Sequence, residues 1–152
     1  MERAKKVPGR GFYFDFLEFA KFDAKDQTPS TPSISHIYAL DKALERIEKE
    51  GFDGRCARHR AMADVCRGWV AERGFAMFPE QGYESVTLTT VAITRKIDVG
   101  KLNRGLAERG YVISDGYGKL KGQTFRIAHM ADTTVDELKV VLGHIDDVLK
   151  TM

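Results

Sequence analysis

Apolar residues along the C-terminal three quarters of the chain recur at two spacings, one of three to four residues and one of two. Ile34, Ile37, Tyr38, Leu44 and Ile47 form a stripe at the first spacing, which predicts a helix that Ser33 can cap and Gly51 ends. Met62, Val65, Cys66, Trp69 and Val70 form a second stripe, with Asp53 as the predicted cap and Gly74 as the stop. The β-branched run ESVTLTTVAI, 84–93, predicts a strand. Asp98 can cap a short helix that turns Val99, Leu102 and Leu106 inward and ends at Gly110. YVIS, 111–114, predicts a short strand, DGYGKLKGQ a glycine-rich connection, and TFRIAHM, 124–130, an alternating strand. A capping box, Thr133 with Asp136 or Thr134 with Glu137, opens the last helix, whose buried face is Val135, Leu138, Leu142, Ile145 and Leu149. The order of elements predicts an α+β fold, a short antiparallel or mixed sheet with helices on one face.

The N-terminal stretch follows neither spacing. Phe12, Tyr13, Phe14, Phe16, Phe19 and Phe22 crowd into eleven positions. Such a patch faces a partner surface or forms a satellite core of its own. QTPSTPS, 27–33, is polar and carries two prolines, so it separates a first unit, 1–32, from a second, 33–152.

Composition narrows the classes. The 152 residues suffice for a real core, and 43% hydrophobic with 30% charged residues is ordinary for a globular protein. A net charge of +2, from 24 basic and 22 acidic residues, argues for neither nucleic acid nor an anionic membrane. No apolar run approaches the roughly 20 residues that span a bilayer, and MERAKKVPGRG lacks the apolar core of a secretory signal. Cys56 and Cys66, ten apart in one predicted helix, fit neither a CxxC site nor a disulfide framework, and read as buried thiols in a reducing cytoplasm.

Few residues carry a chemical signal. His36, His59, His129 and His144 fall in separate elements with no ligand spacing between them, so no metal site is expected. No serine stands in a GxSxG elbow. GYGKLKG, 116–122, has the wrong spacing for a dinucleotide loop and precedes a strand instead of a helix. Thr28 and Thr31 stand just before a helix start, where hydroxyls serve either as caps or as donors to an anion. Arg126 interrupts a short apolar strand. An arginine is costly to bury without a carboxylate, phosphate or carbonyl, so it lies on a solvated face or awaits an anion.

The stretches TPSTPSISHIYALDKALERIEKEG, RHRAMADVCRGWVAERGF and GYGKLKGQTFRIAHM, in this order, resemble the C-terminal portion of class-V (fold-type I) pyridoxal-phosphate aminotransferases, in particular the alanine–glyoxylate and serine–glyoxylate or serine–pyruvate enzymes. The likeness runs from about Gly9 to Leu149, and its specific parts are the TPSTP and GKLKGQTFRIAHM stretches. It implies that Arg126 pairs with the substrate's α-carboxylate and that Thr31 donates to the cofactor phosphate of a neighbouring subunit. Thr28, a looser match, falls where relatives carry a tyrosine with that duty. It implies a homodimer, pyridoxal 5′-phosphate as cofactor, alanine or serine as amino donor, and glyoxylate or pyruvate as acceptor. Residues 1–32 would be the tail of the large cofactor-binding domain, and 33–152 the small domain. The chain also departs from the family pattern. The serine-glutamine-lysine setting of the cofactor-binding lysine, with its Pro-Pro-Gly turn, is not in these residues, nor is the aspartate that pairs with the pyridine nitrogen. No catalytic residue is therefore expected in this chain, and alone it is expected to be inactive. The rival expectation is a free-standing, non-catalytic binding domain derived from an aminotransferase.

Overall fold

Gly51 lies between the two longest helices. Its φ of 80° is open to glycine without the steric cost that a Cβ would bring. In the computed structural model, which describes all 152 residues, the chain forms two units, 1–49 and 50–152.

The first unit is helical. It holds α1 (Glu2–Lys5), α2 (Phe16–Asp23) and most of α3 (Ile34–Glu50). Asp15 caps α2 by accepting from the Leu17 N–H at 3.0 Å, and it grips Arg10 through both carboxylate oxygens. Ser33 occupies the position before α3. Its hydroxyl meets the His36 Nδ1 at 2.6 Å, while its carbonyl accepts the first helical N–H groups. No residue from Met1 to Lys49 is buried. Phe12, Tyr13, Phe14 and Phe16 stay exposed, as do Ile34, Ile37, Tyr38 and Leu44 of the α3 stripe. The aromatics thus form no satellite core.

The second unit is the α+β layer that the pattern predicts. It comprises α4 (Phe52–Glu72), β1 (Ala76–Met77), β2 (Leu88–Ala92), α5 (Val99–Ala107), β3 (Ser114–Asp115), β4 (Thr124–Ala128) and α6 (Val135–Leu149). The sheet is antiparallel throughout, in the order β1-β2-β4-β3. Val91, Phe125 and Ile127 point from one face into a single core with Met62, Cys66 and Trp69 of α4, Leu102 and Leu106 of α5, and Leu138, Leu142 and Ile145 of α6. Each such side chain contributes about 1.5–3 kcal/mol by leaving water. Phe75 links the layers, stacked on Trp69 and edge-on to Phe125. At the far end of α4, Asp146 of α6 accepts from Trp69 Nε1 (3.0 Å) and from Arg73 Nε (2.8 Å) and Nη2 (2.7 Å). The Arg73 guanidinium holds the Asp146 carboxyl below its usual range.

Three local expectations need correction. The cap of α4 is Gly51 and not Asp53, which sits in the first turn, because the backbone reverses two residues earlier. The strand predicted over 84–93 shortens to β2, since Glu84 turns back to accept the Gly82 N–H and Ser85 bonds Thr87. Of YVIS, only Ser114 joins the ladder, because the Ile113 N–H goes to the Asn103 side chain at 3.0 Å. The capping box forms at Thr134 with Glu137.

Candidate functional site

Alternation along β4 decides where Arg126 stands. Phe125 and Ile127 face the core, so Arg126 projects from the opposite face, which carries partly exposed Leu88, Thr90 and Ala92. Its register partners on either side are Thr90 of β2 and Ser114 of β3. The half-buried side chain thus has a hydroxyl residue directly across on both flanking strands. Its Nε donates to the Asp115 carbonyl at 3.1 Å. Nη1 and Nη2 have no partner on this chain, and no carboxylate neutralises the charge. The arrangement presents a planar pair of donors on an open sheet face, the geometry that a carboxylate accepts bidentately.

The loop leading into β4 is built around one carboxylate. Asp115 Oδ1 accepts from the Gly116 N–H at 2.7 Å and from the Gly122 N–H at 3.0 Å. Between them lies a short 3-10 turn, Gly118–Leu120. A Cβ on Gly116 would stand 1.9 Å from the Leu120 carbonyl oxygen, so the closure admits only glycine there.

Thr28 and Thr31 belong to the first unit and line one open hollow with Asp23 and Asp26. Thr28 gives its hydroxyl proton to the Ser30 carbonyl at 2.8 Å, while the hydroxyls of Thr31 and Ser30, which lines the same hollow, have no partner on this chain. No lysine or arginine lines the hollow. A cofactor phosphate would therefore receive one hydroxyl donor from Thr31, and its charge would have to be met by residues outside this hollow. The chain's residues fit one edge of pyridoxal phosphate and not the whole group.

The histidines form no ligand cluster. His36 bonds Ser33, His59 Nδ1 bonds the Arg55 carbonyl at 2.7 Å, and His144 lies against Tyr111. His129 is fully buried with Nε2 on Thr89 at 2.8 Å, and burial lowers its pKa. No three His, Cys, Asp or Glu side chains group to hold a metal ion. Cys66 is buried and its thiol is pushed up to about 11, far from a nucleophile's range, while Cys56 is only partly buried. Near the start of α4, Glu50 takes Arg58 and Arg55, which hold its carboxyl down to about 2. Arg58 also donates to the carbonyls of Ala131 and Thr133, tying the loop between β4 and α6 to α4. No helix is long and apolar enough to cross a membrane.

Thr90, Ser114 and Asp115 did not stand out in the sequence. Thr90 occupies an alternating position in TLTTVA, but which residue it faces depends on a pairing with a strand more than thirty residues away.

No protein-family model matches the chain. It is 34% identical over 145 residues to an uncharacterized aminotransferase of Methanocaldococcus jannaschii, covering 93% of this chain and 37% of that protein. It is 30% identical over 154 residues to the serine–glyoxylate aminotransferase of Arabidopsis thaliana, covering 99% and 38%. The crystal structure of an alanine–glyoxylate aminotransferase from Nostoc sp. superposes with a TM-score of 0.82 at 24% identity, over 95% of this chain and 39% of that one. The fold is thus one found within aminotransferases, and the chain is similar to them over nearly all its length. It spans less than two fifths of the length of these curated relatives.

Proposed function

We propose that this chain is the C-terminal portion of a class-V, pyridoxal-phosphate-dependent aminotransferase, and that Arg126 holds the α-carboxylate of a small amino acid. The observation that carries the reading is the Arg126 guanidinium, set on an open sheet face with both Nη groups free of protein acceptors. A bidentate, charge-assisted grip there fixes the carboxylate and so the direction of the substrate's Cα–H bond. Alanine and serine share that carboxylate, and glyoxylate or pyruvate presents the same group as acceptor. Thr31 contributes one hydroxyl bond to the cofactor phosphate across a dimer. Thr28, whose proton is engaged by Ser30, is the weaker of the two. Pyridoxal phosphate, when bound, supplies the electron sink that amino-group transfer needs.

The first unit supports the same reading. Residues 1–32 are assigned to the tail of the large domain and 33–152 to the small domain. The exposed aromatics of 12–19 and the exposed stripe of α3 are apolar surface of the kind a further domain and a second subunit cover. That surface favours a covered portion of a larger protein over a free-standing binding module. Two free thiols, one buried, fit a reducing cytoplasm.

The experiment compares the chain alone with the chain joined to the rest of the Methanocaldococcus jannaschii relative in place of its matching part. With pyridoxal phosphate, alanine or serine, and glyoxylate, the joined protein is expected to transaminate and the chain alone is not. Turnover by the chain alone at an enzymatic rate contradicts the reading.

A further inference from the structure

We propose that Asp115 is a positioning residue that presents Arg126 end-on, through Nη1 and Nη2, to the incoming carboxylate. The inference rests on the reading of Arg126 as the carboxylate anchor, and adds how that anchor is aimed. A guanidinium offers a carboxylate two donor pairs, the Nε–Nη2 side and the Nη1–Nη2 end. Here the Nε N–H is already committed to the Asp115 carbonyl at 3.1 Å, so the side-on pair is blocked and the end-on pair is left.

That carbonyl is held from several directions. Asp115 belongs to β3, which has only two residues and would be a poor anchor by itself. Its own carboxylate supplies what the strand lacks. Oδ1 takes the N–H groups of Gly116 and Gly122 and so closes the loop between them, while the Gly116 N–H also reaches the Thr124 carbonyl at 3.0 Å. The loop in turn fits because Gly116 has no Cβ to meet the Leu120 carbonyl. A long side chain that would sample several rotamers in an open site is thereby tied at one nitrogen before any ligand arrives.

The test uses the 152-residue chain labelled with 15N and 13C, its Arg126 Nε–Hε signal assigned by loss in Arg126→Lys. A coupling across the hydrogen bond from Arg126 Nε to the Asp115 carbonyl carbon is expected without ligand, and needs no variant to fold. Asp115→Asn keeps an oxygen for both glycine N–H groups and is expected to preserve slow exchange of Nε–Hε. Asp115→Ala is expected to speed that exchange about tenfold and to weaken acetate and pyruvate binding, with the amide signals of the core residues Val91 and Leu102 unchanged. Absence of the coupling, or exchange in a folded Asp115→Ala chain within twofold of wild type, overturns the proposal. An intact Nε coupling together with carboxylate binding that Arg126→Lys leaves unchanged would instead overturn the anchor reading.

Discussion

Acidification tests the buried His129 most sharply. The imidazole is fully buried, bonded through Nε2 to Thr89, and its Nδ1 has no partner. Burial is the largest influence on its pKa and lowers it; His59 and Arg67 on α4 push the same way, while the carbonyls of His129 and Val86 oppose them. The folded protein therefore keeps this ring neutral below the pH at which the unfolded chain protonates it. Above about pH 6.5 neither state carries the proton and stability is unaffected. Below it the unfolded state gains a proton that the folded state refuses, so stability falls by up to about 1.4 kcal/mol per pH unit until the folded ring titrates. At that limiting slope one pH unit corresponds to at most about 0.5–1 M in a urea midpoint, given an ordinary denaturant dependence. The single tryptophan, Trp69, is buried and reports the transition by fluorescence. His129→Gln keeps a donor or acceptor for Thr89 and removes the titration, so its midpoint is expected to be lower at pH 7 yet flat down to about pH 5. The carboxylates held low by donors, Glu50, Glu137 and Asp98 among them, contribute stability that is fully present above about pH 4.5 and lost only as pH falls further, outside this window. A wild-type midpoint that does not move between pH 7 and pH 5, or a His129→Gln variant that keeps the full slope, would refute the reasoning.

Two substitutions probe the helix layer. In Gly105→Ala the new Cβ would meet Val148 Cγ1 at 2.8 Å where α5 crosses α6, and the overpacking is expected to cost about 1–3 kcal/mol in urea unfolding; a loss under about 0.5 kcal/mol would show that Val148 yields freely. Thr134→Ala removes the hydroxyl that accepts the Glu137 N–H at 3.2 Å, and thermal unfolding should report a loss of about 1 kcal/mol; an unchanged transition would show that the helix start is held by other contacts.

Helices α3 to α6 were legible because each repeats its apolar stripe, and α5 and α6 carry their caps in the residues themselves, Asp98 and Thr134; α1 and α2 lie in the N-terminal stretch whose crowded aromatics follow no helical spacing, and they were not. The start of α4 was less so, because Gly51 reads as the end of α3 and Asp53 as the next cap, whereas one residue, Gly51 at positive φ, ends the first helix and caps the second. β1 spans two residues, too few for any period, and β3 is displaced by a side-chain bond from Asn103 that no local pattern encodes. The alternation around Arg126 set its face in advance. Its neighbours Thr90, Ser114 and Asp115 come together only through the register of three strands. Thr28 and Thr31 look alike in TPSTP, and only the Thr28 bond to the Ser30 carbonyl separates an occupied hydroxyl from a free one.

In the proposed function Arg126 anchors the substrate carboxylate. The measurement that bears on it most directly is kcat/KM for alanine in the joined protein with Arg126 and with Arg126→Lys. A lysine keeps the charge and loses the bidentate pair, so kcat/KM is expected to fall about 10- to 100-fold, chiefly through KM, with cofactor content unchanged. Equal kcat/KM in the two proteins, each folded and loaded with cofactor, would contradict the account.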